Sequence, residues 1–75
     1  MTEYLDQILK MATIFRNYRD ERGIEATKEM FNEWTTNTEH PPEVVEVSLK
    51  IMERRFQQLE DFELCILIRD YLQGK

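Results

Sequence analysis

Seventy-five residues fit one domain with little room for a large core, and scaffolds this small draw on disulfides, a metal, self-association or a partner. One cysteine and one histidine exclude an internal disulfide framework and the usual zinc-ligand patterns. The net charge of −5 is spread along both halves and disfavours nonspecific contact with a phosphate backbone.

The first predicted helix covers residues 4–22. Leu5, Ile8, Ala12 and Phe15 recur at spacings of three and four, Leu9 and Met11 widen the stripe, and Asp6 and Lys10 form a favourable i,i+4 pair. Gly23 ends it, because glycine takes a positive φ without steric cost. A second helix over 25–35 places Ala26, Met30 and Trp34 on one line, with Thr27 and Phe31 beside it. The run Thr35-Thr36-Asn37-Thr38 competes for backbone hydrogen bonds, and Pro41 pushes His40 out of the helical region, so 35–41 is expected as the main loop.

Pro42 suits the first turn of a third helix, with Glu43 and Glu46 near its positive end and Lys50, Arg54 and Arg55 toward the other. Val45, Leu49, Met52, Phe56 and Leu59 repeat as a 4-3-4-3 seam. Glu60 and Asp61 make a corner, with Asp61 as N-cap of a fourth helix over 62–73 that ends at Gly74. No strand-type alternation appears. The fold class is therefore all-α: a small bundle of three to four helices with a C-terminal helical hairpin, forming one domain over 1–75. Its expected core is Phe15, Trp34, Leu49, Met52, Phe56 and Ile68.

Catalysis finds little material. His40 sits beside two prolines, Ser48 is the only serine, and Cys65 lies in the most apolar stretch, where a thiol acts as a small hydrophobe. No catalytic, cofactor-binding or metal-binding residue is assigned, and no small-molecule substrate is expected. The apolar run 64–68 is far short of the ~20 residues of a membrane span. Met1-Thr2-Glu3-Tyr4 lacks the regions of a secretory signal, and a lone thiol suits a reducing compartment, so a cytoplasmic location without a membrane is expected.

Two features point to partners. Arg16, Arg19 and Arg22 recur every third residue with Tyr18 nearby, a pattern able to contact phosphates. The fourth helix is apolar nearly all round, so its neighbours cannot cover it, and Phe62, Ile66, Arg69, Asp70 and Tyr71 are the candidate partner-binding residues. Ile66 is its expected exposed position, opposite an inward line of Cys65, Ile68 and Leu72. Phe62 is expected to pack on Leu59 or Phe56, and Arg69 and Asp70 to pair with Glu63 or Arg55.

The corner carries a further pattern. Asp61-Phe62-Glu63, then Ile68-Arg69-Asp70 and Leu72, with Cys65-Ile66 where two alanines are usual, resembles the UVR motif over about residues 47–73. That motif is a helical hairpin of nucleotide-excision-repair proteins and some protease adaptors. The resemblance implies hairpin-to-hairpin protein association. The expected function is thus a non-enzymatic interaction module, or small regulatory adaptor, acting on a larger protein in DNA repair or proteolysis. The alternatives are a small nucleic-acid-associated regulator, such as a phage-type accessory protein using Arg16, Arg19 and Arg22, and a structural homodimer.

Overall fold

The computed structural model describes residues 2–74, and Met1 and Lys75 lie outside them. Four helices follow in order: α1 (Thr2–Arg22), α2 (Ile24–Asn37), α3 (Pro42–Gln58) and α4 (Phe62–Gln73), with no strand among the described residues. The molecule is the small all-α bundle that the helical spacing predicts. No helix among the described residues is long and apolar enough to cross a membrane.

A single residue separates α1 from α2. Gly23 adopts φ 91°, where a side chain would strain the backbone, and its N–H donates to the Arg19 carbonyl at 2.8 Å. Its own carbonyl then accepts from the Thr27 N–H at 3.2 Å and the Thr27 hydroxyl at 2.8 Å. One glycine therefore ends one helix and anchors the next. The far end of α2 runs past the expected loop boundary, because the Thr35 hydroxyl donates back to the Phe31 carbonyl at 3.0 Å. A threonine bonded to its own preceding turn leaves the backbone ladder intact. The loop shrinks to residues 38–41, and α3 starts at Pro42 as expected, with the Val44 and Val45 amides donating to the Pro41 carbonyl at 3.0 and 3.1 Å.

The α3–α4 corner is a Schellman turn. The Asp61 N–H donates to the Phe56 carbonyl at 2.8 Å and the Glu60 N–H to the Gln57 carbonyl at 3.0 Å. Leu59 closes α3 here, which leaves it exposed instead of in the seam. Glu60 has to adopt φ 59°, the left-handed region that costs a residue with a Cβ about 1–2 kcal/mol. Glu60→Gly should therefore raise stability by roughly 0.5–1 kcal/mol, read as a higher chemical-denaturation midpoint at unchanged slope. An unchanged or lowered midpoint would mean that the corner carries no such strain.

The helices pack in the ring order α2–α1–α3–α4. The core joins Ile8, Ala12 and Phe15 of α1, Phe31 of α2, Leu49, Met52 and Phe56 of α3, and Leu64, Cys65 and Ile68 of α4. The expected core positions are buried except Trp34, which is half-buried at the rim with its ring edge-on to Phe15 at 6.1 Å. Helix α2 is turned from its predicted line. Thr27 and Phe31 point inward, and Ala26 and Met30 sit beside them. Thr27 tolerates full burial because its hydroxyl is already bonded to Gly23.

Candidate partner-binding seam

Helix α4 lies against α3 through Leu64, Cys65 and Ile68 and turns Leu67 toward α2. The α2–α4 edge of the ring is its weakest, since α2 is held chiefly by α1 and α4 chiefly by α3. A groove of about 280 Å³ opens there, lined by Lys28, Phe31, Asn32, Leu67, Asp70 and Tyr71. It continues past Leu67 to Ile24, Glu63 and Ile66. The Tyr71 ring meets the Phe31 ring edge-on at 5.2 Å and bridges the two helices at the apolar floor.

Ile66 leaves 54% of its surface in solvent, and Phe62, one turn earlier, leaves 60%. Cys65 and Ile68 are buried and Leu72 half-buried, so the inward line of α4 is the predicted one. Ile66, Asp70 and Tyr71 come together on the groove, whereas Phe62 is exposed but does not line it. Arg69 does not join them: it turns to α3, where its Nε donates to Glu53 Oε2 at 2.9 Å. Glu53, not Glu63, is thus its partner. Phe62 does not bury itself against Leu59 or Phe56 either, since the corner is held by its backbone turn and by Asp61.

Asp61 organises the end of the bundle where α1 meets the corner. It stands at the N-cap position of α4, and its carboxylate reaches across to α1. Arg19 binds it through both terminal nitrogens at 2.6 and 2.8 Å, and Arg16 Nε adds a third bond at 3.1 Å. Arg19 also contacts Asp20 at 3.0 Å and Glu63 at 3.1 Å. Only 6% of the Asp61 side chain is exposed. Burial alone pushes its carboxyl up, but the hydrogen bonds and charges of Arg19 and Arg16 outweigh that and hold it below the ordinary carboxylate range. The same bond to Asp61 raises the Arg19 guanidinium against the opposing effect of burial. The sequence does not announce this clamp, since its members lie 42 and 45 residues apart.

The clamp changes the standing of the arginine stripe. Arg16 and Arg19 are engaged inside the molecule, and Arg22 stacks over the Tyr18 ring at 5.7 Å. Elsewhere, Cys65 is buried, and burial, followed by the nearby Glu53 charge, pushes its thiol up. Its Sγ donates to the Glu53 carbonyl at 3.5 Å. Ser48 donates to the Val44 carbonyl at 2.7 Å, so the Tyr4 hydroxyl is the donor in their 2.6 Å contact. His40 shares a small cleft with Tyr4, Trp34 and Ser48, and its backbone N–H donates to the Thr38 hydroxyl.

Comparison with protein-family models, with curated proteins and with solved structures finds no match for this chain.

Proposed function

We propose that this protein is a non-enzymatic interaction module, a small adaptor or regulator that captures an apolar helical segment of a larger protein along the α2–α4 seam. The observation that carries the reading is the exposed Ile66 on an apolar groove floored by Phe31, Leu67 and Tyr71, with Phe62 exposed one helical turn earlier on α4. Helix-in-groove recognition needs such a floor together with anchor positions one turn apart. Lys28 lines the seam and Arg19 holds Glu63 at 3.1 Å, against Asp70 and, beyond Asn32, Glu29 and Glu33. The captured segment should therefore carry basic flanks. The resemblance of residues 47–73 to UVR hairpins makes DNA repair or proteolysis the first setting to examine.

Ile66→Glu tests the site. The side chain is already half in solvent, so the far-ultraviolet dichroism of the variant should match the parent. Proteins retained from a lysate of the source cells by immobilised parent should be lost with the variant. Equal retention by both would remove the seam from the proposal, and global unfolding of the variant would reassign Ile66 to the core. With Arg16 and Arg19 held by Asp61, the nucleic-acid reading rests on Arg22 and has less support than the protein-partner reading.

A further inference from the structure

A second cleft shares no residue with the α2–α4 seam and does not depend on how that seam is read. It opens where the first half of α1, the end of α2, the 38–41 loop and α3 meet, and it holds about 100 Å³. Its apolar lining is Ile8 and Met52, both buried, with Met11 and Trp34, both half-buried. None of its lining residues is Asp, Glu, Lys or Arg, although 33% of the chain is charged.

Hydrogen-bond counting fixes what its polar side offers. The Ser48 hydroxyl gives its only proton to the Val44 carbonyl at 2.7 Å, so Tyr4 gives its own to the Ser48 oxygen at 2.6 Å. Neither hydroxyl has a proton left for a guest. Ser48 is buried and anchors the pair, whereas Tyr4 is 37% exposed and its oxygen keeps acceptor lone pairs. Gln7 and His40 stand at the exposed rim, and their side chains bond to no other described residue.

We propose that this cleft binds a small neutral aromatic ring carrying a hydrogen-bond donor, the chemical class of phenol, with that donor directed at Tyr4 Oη. Size, charge and hydrogen-bond polarity point the same way. An apolar cavity of ~150 Å³ encloses a benzene ring, so about 100 Å³ takes a single ring with one edge left toward solvent. A charged guest would lose hydration without meeting an opposite charge on the lining. Two thioethers and an indole favour an aromatic guest over an aliphatic one. The Tyr4 lone pairs then favour a ring that donates over one that only accepts.

Trp34 is the only tryptophan and lines the cleft, so its fluorescence, excited beyond the phenol absorption band, reads occupancy directly. The probe is phenol itself, titrated into the full chain, with toluene and anisole as ring-matched controls. Phenol should give a saturable response in the millimolar range, and both controls should bind about fivefold more weakly or worse. Tyr4→Phe should bring phenol down to the level of toluene while the far-ultraviolet dichroism stays that of the parent. Equal affinity for phenol and toluene, or phenol binding untouched in a folded Tyr4→Phe, would overturn the donor assignment. If Tyr4→Phe loses helicity, the comparison of phenol with its controls on the parent decides alone. Backbone amide shifts locate the ring: they should move at Tyr4, Gln7, Met11, Ser48 and Met52. Shifts at Phe31, Leu67 and Tyr71 instead would put phenol in the α2–α4 groove and overturn this cleft. Lack of any saturable response up to the solubility of phenol would mean a cleft that holds water only, and the proposal would fall.

Discussion

Replacing Asp61 with alanine should cost about 2–4 kcal/mol, close to the toll of breaking a buried ion pair. The variant leaves Arg16 and Arg19 side by side at the α1 end of the bundle without the carboxylate that satisfied them. Arg19 keeps Asp20 and Glu63, both largely solvated, which holds the loss below the ~3–5 kcal/mol typical of a stranded buried charge. For a chain of this size, near the lower end of the ~5–15 kcal/mol range of native domains, that is a large share of total stability. Urea denaturation of parent and variant measures it. A double-mutant cycle with Arg19→Ala should give a combined cost well below the sum of the single costs. Additive costs would show that the two side chains do not cooperate.

The pH dependence follows from the direction of the Asp61 shift. The folded carboxyl titrates below its unfolded value of about 3.9, so its stabilisation is complete above that pH and is lost as pH falls through the folded value. Parent and Asp61→Ala should differ by a constant margin from neutrality down to about pH 5, and the margin should shrink below about pH 4. A margin that is instead lost on the alkaline side would contradict the assignment of the stabilising charge to Asp61.

The sequence and the structure agree where the physics is local. Helix positions follow from spacings of three and four, and Gly23, Pro42 and the Glu60-Asp61 corner mark the boundaries because each acts on its own backbone. The exposed position of Ile66 was legible for a related reason, since an α-helix apolar on nearly every side outruns what two neighbouring helices can cover. What was not legible depends on which helices meet. The Arg16–Asp61 and Arg19–Asp61 bonds join α1 to a corner more than half the chain away, and a stripe of arginines reads alike whether it faces phosphate or a buried carboxylate. The rotation of α2 that brings Thr27 and Phe31 inward is set by packing against α1, which no property of α2 alone determines.

Phe31→Ala should be the most damaging single truncation on α2, at about 3–5 kcal/mol. Its ring is 2% exposed and stands edge-on to two others, Phe15 on α1 at 5.7 Å and Tyr71 on α4 at 5.2 Å. Each such pair contributes about 0.5–1.5 kcal/mol beyond area burial, so alanine removes both pairs and leaves a cavity where three helices converge. The other inward residue of α2, Thr27, is bonded to the start of its own helix and offers no comparable link across the seam. Helix α2 should therefore loosen before the α3–α4 hairpin, which keeps its own contacts through Leu49, Met52, Phe56, Leu64 and Ile68. Amide hydrogen exchange should report this as protection lost first over residues 24–37 and retained longer over 45–58 and 64–72. Because Phe31 also floors the groove, the variant should lose partner capture together with α2 protection, whereas Ile66→Glu should lose capture alone. Uniform loss of protection across all four helices would instead mean that the bundle opens as one unit and that the seam has no independent looseness.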